Sequence, residues 1–233
     1  MNLFIIEKES NNYLIDSHTK FLYTLKENGG FLMQYQKDEV KNRIIEEALK
    51  EFNEKGYSGA SIRNIAKKSN TSVGNLYKYF KSKEELHENI VGSIYDRFVD
   101  YIKQFNKVEL NEKAEVVFYK LADEIMEIFN KNNLEISVLL NESKGTKYEN
   151  CKSIFVDFIT RIVTEKMQYQ LSLKGKKLED NFIIDLLSQS LVESIAVIVK
   201  KCSEGAEVKK YTLNLIHIFY TGLVNKLQAE DIK

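Results

Sequence analysis

The feature that most restricts how this chain folds is its shortage of helix-breaking residues. Its 233 residues include no proline and only ten glycines. Proline removes a backbone donor and glycine weakens a helix interior, so a chain with so few of them accommodates long helices. Successive stretches also carry apolar residues at the 3.6-residue spacing of an amphipathic helix. The sequence therefore predicts an all-α protein.

Composition excludes several classes of protein. With 43% hydrophobic and 29% charged residues, the chain is typical of a soluble globular protein. No segment of about 18 uncharged apolar residues is present, so we predict a cytoplasmic protein with no membrane partner. Two cysteines, Cys151 and Cys202, are too few for a disulfide framework, and no ligand spacing joins them to a histidine. We predict no metal and no cofactor.

An enzyme is a second hypothesis, because 233 residues are enough to build an active site. The sequence contains no nucleophile elbow, no phosphate-binding loop and no pair of carboxylates within an otherwise apolar pattern. We therefore predict that the protein is not an enzyme and name no catalytic residue.

Positive charge is concentrated in residues 61–83, SIRNIAKKSNTSVGNLYKYFKSK. The whole chain has 34 basic and 34 acidic residues, whereas this window has no acidic residue and leaves 28 basic against 34 acidic elsewhere. A run of cations is often just a solvated surface, but this one points to an anionic partner for the reasons given below. Its cations are Arg63, Lys67, Lys68, Lys78, Lys81 and Lys83.

An amphipathic helix is predicted over residues 38–55, immediately before the basic window. Gly56 follows it and suits the left-handed backbone with which helices often end. Its apolar face consists of Val40, Ile44, Ile45, Ala48, Leu49 and Phe52.

Two short helices are predicted inside the window. Ser61 is placed to cap IRNIAKKS, and Ser72 to cap VGNLYKYF. Asn70 tolerates the left-handed backbone that the tight turn between them needs. Two short helices joined by a three-residue turn form a helix-turn-helix, an arrangement that places its second helix in the major groove of DNA.

A long helix follows the window. Ser82 and Glu85 form a capping-box pattern at its start. Its apolar stripe consists of Leu86, Ile90, Ile94, Phe98, Ile102 and Phe105. Further amphipathic stretches predict helices near 112–131, 133–142, 148–172, 178–203 and 207–228, and the last two are apolar around most of their circumference.

The window separates a narrow apolar side from a polar side. Ile65, Ala66 and Leu76 provide a small buried contact, and the positions around them offer amide, hydroxyl, phenol and ammonium groups that suit phosphates and base edges. Gly74 stands in the first turn of a predicted helix, where glycine costs about 1 kcal/mol relative to alanine. We interpret it as a place where a phosphate or groove wall approaches the backbone closely.

These residues resemble the TetR family of transcriptional repressors. The segment GYSGASIRNIAKKSNTSVGNLYKYFKSKEEL, residues 56–86, is similar to the DNA-binding signature of that family, and the resemblance covers about residues 38–90. It implies an amino-terminal three-helix DNA-binding domain with a helix-turn-helix, followed by a larger helical regulatory and dimerisation domain. The implied domains are a helix-turn-helix domain at 33–84 and a ligand-binding and dimerisation domain at 85–233. Residues 1–32 have no counterpart in the family pattern and are expected to be a dispensable extension, either non-native upstream sequence or a disordered or loosely docked segment.

The resemblance also implies the DNA contacts. Ser72, Tyr77 and Lys83 are expected to hold phosphates. Val73, Asn75 and Lys78 are expected to lie nearest the bases, although Val73 departs from the usual polar residue and suits a thymine methyl group better. Phe80 is predicted in the core, as is Tyr79 with a DNA contact as its alternative, and Tyr77 is predicted on the surface. The full set predicted to bind DNA is Ser61, Arg63, Thr71, Ser72, Val73, Gly74, Asn75, Tyr77, Lys78, Tyr79 and Lys83.

Two further sets of residues are expected in the carboxy-terminal part. A ligand pocket between the middle helices is expected to involve Phe118, Ile125, Phe129, Phe155, Phe158, Ile162 and Met167. A homodimer interface formed by the last two helices is expected to involve Ser194, Ile195, Val199, Ile216, Phe219, Leu223 and Val224.

The resulting prediction is a one-component regulator, most simply a repressor. It would bind double-stranded operator DNA with an inverted repeat as a homodimer and be released by an unknown small-molecule effector. The alternative is a helical DNA-binding protein that needs no effector. The pattern does not specify the effector, the operator, or whether the protein represses or activates.

Overall fold

The computed structural model describes residues 3–8, 11–16, 29–105, 107 and 124–229, with side-chain detail over residues 37–105, 107 and 124–219. Helices dominate these ranges, so the all-α prediction is confirmed for the predicted domains. A small antiparallel β-hairpin precedes them. Its strands are β1 (Leu3–Lys8) and β2 (Asn11–Asp16), paired from Leu3 opposite Asp16 to Lys8 opposite Asn11.

The first helix, α1 (Gly29–Gly59), begins within the predicted extension at 1–32. Its regular geometry breaks at Gly56, whose backbone has φ 69° and ψ 167°. The left-handed residue expected after residue 55 is thus present. Ile44, Ala48 and Phe52, from the predicted apolar face, are fully buried.

The two short helices form where the capping serines predict them. They are α2 (Ile62–Lys68) and α3 (Val73–Tyr79). The hydroxyl of Ser61 accepts a hydrogen bond from the Asn64 amide at 3.4 Å, and that of Ser72 accepts one from the Asn75 amide at 3.1 Å. Asn70 has the predicted left-handed backbone, with φ 53°. The helix-turn-helix is therefore confirmed.

The long helix α4 (Lys83–Phe105) leaves this unit, and Leu86, Ile90, Ile94 and Phe98 of its predicted stripe are buried in the core. Ile102 and Phe105, at the end of the stripe, are half-buried. Ser82 accepts the expected hydrogen bond from the Glu85 amide at 3.0 Å. The return bond of the capping box differs from the ideal pattern, because the Glu85 carboxylate accepts from the Lys81 amide at 2.7 Å. The start of α4 is nevertheless capped by two side chains, the Ser82 hydroxyl and the Glu85 carboxylate.

Five further helices lie in the rest of the described ranges. Of the predicted stretch 112–131, only residues from 124 onwards lie in the described ranges. One link between the two predicted domains is α6, which packs against α1, α4 and α8. The five are α5 (124–131), α6 (Asn133–Asn141), α7 (Cys151–Ser172), α8 (Phe182–Lys201) and α9 (Gly205–Ala229).

Among the described helices, α8 is long and apolar enough to cross a membrane by length and composition. It packs against α6, α7 and α9. Ala196 is fully buried, and Leu191, Val192 and Val199 are each at most 5% exposed. We therefore interpret α8 as a core helix of the carboxy-terminal part.

A buried carboxylate ties α1 to α2. The Glu51 side chain has no solvent exposure. It accepts hydrogen bonds from the Lys55 ammonium at 2.7 Å and the Asn64 side-chain amide at 2.5 Å. Longer contacts of 3.5 Å join it to the Ser61 backbone N–H and the Lys68 ammonium. One acidic side chain from outside the basic window thus holds three residues within it.

The ionisation of Glu51 follows from these contacts. Burial by itself raises the pKa of a carboxyl group, but the hydrogen bonds from Lys55, Asn64 and the Ser61 amide outweigh it and hold the pKa of Glu51 below its usual value. A carboxyl group with a lower pKa in the folded state stabilises the fold at pH values above its unfolded-state pKa. That stabilisation is lost as the pH falls through the folded-state pKa.

We predict that Glu51→Gln lowers the free energy of unfolding by about 2 kcal/mol at neutral pH, because it removes the buried charge to which Lys55 and Asn64 donate. Urea denaturation monitored by circular dichroism measures the loss. The difference from the wild type should shrink as the pH falls through the folded-state pKa of Glu51, because the wild-type carboxylate then becomes protonated as well.

The matched control is Glu47→Gln, one turn earlier on α1. Glu47 pairs with Lys50, whose side chain is 54% exposed, so this change should cost less than about 1 kcal/mol. Equal losses for the two variants would contradict the structural role of Glu51.

Candidate nucleic-acid interface

The outward face of α3 presents small and polar groups. Ser72, Gly74 and Lys78 are exposed, and Tyr77 is 45% exposed. Leu76, on the opposite side of the helix, is fully buried. Phe80 follows the helix and is also buried, as predicted. Buried Leu76 and Phe80 thus hold α3 against the core, which leaves the outer face of the helix free to contact a partner.

Three predicted DNA-contacting residues of α3, namely Val73, Asn75 and Tyr79, are only half exposed. Val73 and Tyr79 pack partly against the hydrophobic core, so each offers only part of its surface. The Asn75 side-chain amide donates to the Thr71 hydroxyl at 2.8 Å, which fixes the orientation of that amide across the turn. A held amide can pair with an adenine edge at little further entropic cost.

Gly74 has open space around it. A Cβ atom built at this position would meet no described atom within 4 Å, and the backbone is not left-handed. Neither packing within the described chain nor backbone conformation therefore requires a glycine here. The position suits the close approach of something from outside the chain.

The cations of the window divide into two groups. Arg63, Lys67, Lys78 and Lys81 are exposed and form no ion pair within the described ranges. Lys68 differs, because its ammonium lies 3.5 Å from the Glu51 carboxylate. Four positive charges therefore remain available around the helix-turn-helix.

The structure corrects the expectation for Lys83. Its ammonium donates to the backbone carbonyls of Tyr57 at 2.7 Å, Ala60 at 3.2 Å and Ser58 at 3.4 Å. It also lies 4.7 Å from the centre of the Tyr57 ring. An ammonium has three N–H donors, so these carbonyls occupy all of them. Lys83 caps the carboxyl end of α1, and its side chain is not presented as a phosphate ligand.

The same end of α1 is joined to the carboxy-terminal helices. The Tyr57 amide donates to the Glu142 carbonyl at 2.9 Å. The Lys200 ammonium, from the end of α8, donates to the Asn53 carbonyl and to the Glu142 carboxylate, the latter at 2.7 Å. The Ser137 hydroxyl donates to the Asn53 side chain at 2.9 Å. Hydrogen bonds from α6, from the residue that follows it and from α8 thus fix the end of α1, the helix that leads into the helix-turn-helix.

An aromatic cluster lies beneath this junction. The ring of buried His87 on α4 has its centre 5.1 Å from those of Phe52 and Tyr57 and 5.9 Å from that of Tyr148. Burial, with a smaller effect of the Lys83 charge, lowers the pKa of His87 to about 4, so the ring is neutral at physiological pH.

Within the described ranges, no three His, Cys, Asp or Glu residues are placed to hold a metal ion.

An apolar cavity of about 150 Å³ lies among α4 to α9. Four of the seven predicted pocket residues line it, namely Ile125, Phe129, Phe155 and Phe158. Of the others, Phe118 lies outside the described residues, and Ile162 does not line the cavity. Met167 is a correction, because it is buried with Ile184 in a separate cluster. The remaining wall residues are Phe98, Met126, Leu140, Ile159, Val192, Ile195 and Ile216.

Residues of the predicted dimer interface lie in several different environments. Val199 is 3% exposed and belongs to the core of its own chain. Ile195 and Ile216 line the cavity, and Phe219 packs against the Met167 cluster. Ser194 is half exposed, and its hydroxyl donates to the Ser190 carbonyl at 2.7 Å. The side chains of Leu223 and Val224 lie outside the described residues.

Other apolar residues of the same helices face solvent. On α8 these are Phe182, Ile183, Leu186 and Val197, and on α9 they are Tyr211, Leu213 and Ile218. Both helices are apolar on nearly every side, so periodicity alone could not show which face meets the core.

Comparison with known proteins identifies the amino-terminal region. Residues 44–90 match the family described as bacterial regulatory proteins, tetR family. The chain is 42% identical over 59 residues to the probable HTH-type transcriptional regulator YttP of Bacillus subtilis, over 25% of this chain and 28% of YttP. It is 32% identical over 89 residues to the biofilm operon icaADBC HTH-type negative transcriptional regulator IcaR of Staphylococcus aureus, over 38% of this chain and 47% of IcaR. The matches thus span less than half of each relative.

A solved structure extends the likeness to the fold as a whole. It is that of a TetR-family transcriptional regulator from Bordetella parapertussis, with a TM-score of 0.55 and 18% sequence identity. The alignment covers 80% of this chain and 96% of that one. The carboxy-terminal helices therefore share its fold, beyond the region of clear sequence similarity.

We predict that Lys78→Ala weakens binding to a specific DNA site roughly tenfold and relaxes the base preference at the position that Lys78 contacts. Lys78 is exposed, so the thermal unfolding midpoint should not change. Fluorescence anisotropy with the specific site and with single-base variants of it measures affinity and base preference. Lys174→Ala, at an exposed lysine in the turn after α7, is the control and should leave both unaltered.

We predict that Gly74→Ala has opposite effects on folding and binding. Alanine should stabilise the free protein by up to about 1 kcal/mol, because the added methyl group meets nothing and alanine favours the helix. It should weaken DNA binding, because that methyl group occupies the space into which DNA must fit. A variant with higher stability and undiminished affinity would show that nothing approaches the backbone here.

Proposed function

We propose, from the membership of this chain in the TetR family of bacterial regulatory proteins, that it is a transcriptional repressor acting in the cytoplasm. In this proposal it binds an inverted-repeat operator in double-stranded DNA as a homodimer and releases that DNA when a small molecule binds. Similarity to a negative regulator, IcaR, favours repression over activation.

One observation carries the proposal. A short second helix of a helix-turn-helix is anchored by buried Leu76 and presents Ser72, Gly74, Tyr77 and Lys78 outwards. No acidic residue occurs anywhere in residues 61–83. Such a surface attracts the DNA backbone without repelling it at any point, and the helix is narrow enough to enter the major groove.

The groups exposed on this surface suggest a division of roles. Ser72 and Tyr77 have hydroxyl groups that can donate to phosphate oxygens, while Arg63 and Lys67 add charge beside the backbone. Lys78 and the oriented Asn75 amide are the proposed base-reading groups, with Val73 contributing its exposed part to a thymine methyl group. Lys83 contributes indirectly, by holding α1 and α4 together beneath the helix.

A dimer is proposed because one recognition helix of seven residues contacts few bases. Two such helices at a fixed separation double those contacts and read the two halves of an inverted repeat. The exposed apolar face of α8 and α9, which includes Leu186, Val197 and Ile218, provides the surface for pairing.

Release by an effector is proposed because an apolar cavity lies in the carboxy-terminal part and Phe98 of α4 forms part of its wall. The other end of α4 carries Lys83, which holds the carboxyl end of α1. A ligand that favours one position of α4 would therefore change how the two recognition helices are spaced, in proportion to its differential affinity. The cavity favours this mechanism over an effector-independent protein.

We predict that Val197→Glu produces monomers in sedimentation analysis and weakens binding to a selected operator about a hundredfold or more, because each recognition helix then binds alone. Val197 is 48% exposed on α8, so the chain itself should remain folded. The operator can be obtained by selection from random-sequence DNA with the wild-type protein.

Leu173→Glu is the matched control. Leu173 is 71% exposed and follows α7, outside the proposed pairing face. This variant should stay dimeric and bind the operator normally. A Val197→Glu monomer that kept full affinity would show that the dimer is unnecessary. Failure of the wild type to select any sequence would contradict the proposed function as a whole.

A further inference from the structure

We propose that the cavity among α4 to α9 binds a small, uncharged, apolar molecule, with the size of benzene or a short hydrocarbon chain. The role of this molecule as the effector rests on the proposed function. Its chemical class rests on the volume and walls of the cavity.

The volume of the cavity limits the size of the ligand. Protein interiors are packed as densely as organic crystals, and voids larger than a water molecule are few. The cavity measures about 150 Å³. An engineered protein cavity of about this volume, lined by Leu, Ile and Phe, stays dry and binds benzene or xenon. The same volume here accommodates one aromatic ring or a few methylene groups.

The chemistry of the walls limits the charge of the ligand. Among the residues that the structure describes, the eleven that line the cavity are all apolar: four phenylalanines, four isoleucines, a leucine, a valine and a methionine. A carboxylate, ammonium or phosphate buried there would lose its water without gaining a hydrogen bond from these side chains, at a cost that excludes it. An uncharged hydrocarbon makes no hydrogen bonds with water and therefore loses none when it is buried there.

The arrangement of the phenylalanines favours ring-shaped or methyl-bearing ligands. Phe98 stands edge-on to Phe155, with ring centres 5.0 Å apart, and lies 6.0 Å from Phe129 at an angle of 61°. Edge-to-face contacts of this kind are the preferred geometry between aromatic rings. A bound ring can extend the same pattern.

A second depression is larger but does not compete as a site for such a ligand. It measures about 550 Å³ between α7 and α8, is open to solvent and is lined by charged residues that include Asp157, Glu165 and Asp185. Asp185 already accepts hydrogen bonds from Thr160 at 3.3 Å and Gln189 at 2.7 Å. An apolar molecule gains little there.

Occupancy of the cavity is positioned to reach the helix-turn-helix. Phe98 lies on α4, and Leu140 lies at the end of α6, two residues before Glu142. Lys83 of α4 and Glu142 both bind the carboxyl end of α1. A ligand that touches Phe98 and Leu140 therefore contacts two of the helices that hold the DNA-binding unit.

The test is calorimetric titration of the full chain with toluene, and with benzoate as a charged molecule of similar size. Toluene should bind saturably at one site per chain and raise the unfolding midpoint. Benzoate at the same concentrations should do neither. Absence of toluene binding, or equal binding of benzoate, would overturn the proposal.

Two variants locate the site. Ile195→Phe places a ring in the cavity and should abolish toluene binding, whereas Leu173→Phe, at a residue that is 71% exposed and outside the proposed pairing face, should retain it. Ile195→Ala enlarges the cavity and should admit propylbenzene, which keeps the test decisive if Ile195→Phe does not fold. Toluene binding retained by folded Ile195→Phe, or exclusion of propylbenzene by Ile195→Ala, would place the ligand elsewhere and refute the proposal.

A DNA measurement separates this proposal from the proposed function. If toluene binds and also releases a selected operator, the ligand class and its regulatory role both stand. If toluene binds and the operator stays bound, the ligand class stands and effector-controlled release fails. If the protein selects no operator, the repressor proposal fails, while the calorimetric result still decides the ligand class.

Discussion

The carboxyl end of α1 is the point on which the arrangement of the other helices depends. Gly56 breaks the regular geometry of the helix there. The Lys83 ammonium donates hydrogen bonds to the backbone carbonyls of Tyr57, Ser58 and Ala60, which follow the break. One turn earlier, Glu51 holds α2 through Asn64. Lys200 reaches the same end from α8. The orientation of the recognition helix relative to the carboxy-terminal helices is therefore set at one short stretch of backbone.

This arrangement explains why the basic window has no acid of its own. The anion that the local structure needs is Glu51, which comes from α1 and is fully buried, so it neutralises only the lysines that touch it. An acidic residue inside the window would offset the exposed charges of Arg63, Lys67, Lys78 and Lys81. Keeping the structural anion in the core and the cations at the surface stabilises the unit and preserves its attraction for DNA.

Features that depend on near neighbours could be predicted from the sequence. Each of these features acts within a few residues of its own position. Ser61 caps the amide three residues later, Gly56 takes a positive φ near the end of a helix, and Asn70 takes one in the turn, all as expected. Glu51 also left a signal, since it follows Ile44 and Ala48 on their buried stripe. The contact between Lys200 and Asn53 joins residues 147 positions apart and left none. Ile195, expected at the dimer interface, lines the cavity, and the sequence left no signal of this because α8 is apolar around most of its circumference.

The central claim is that two copies of α3, held at a fixed separation, read one operator. Hydroxyl-radical footprinting of the wild-type protein on a selected DNA site tests this most directly. The claim predicts protection on one face of the duplex, in two segments centred about 34 to 36 Å apart or a multiple of that distance, over an inverted repeat. A single protected segment, or uniform protection without an inverted repeat, would contradict it.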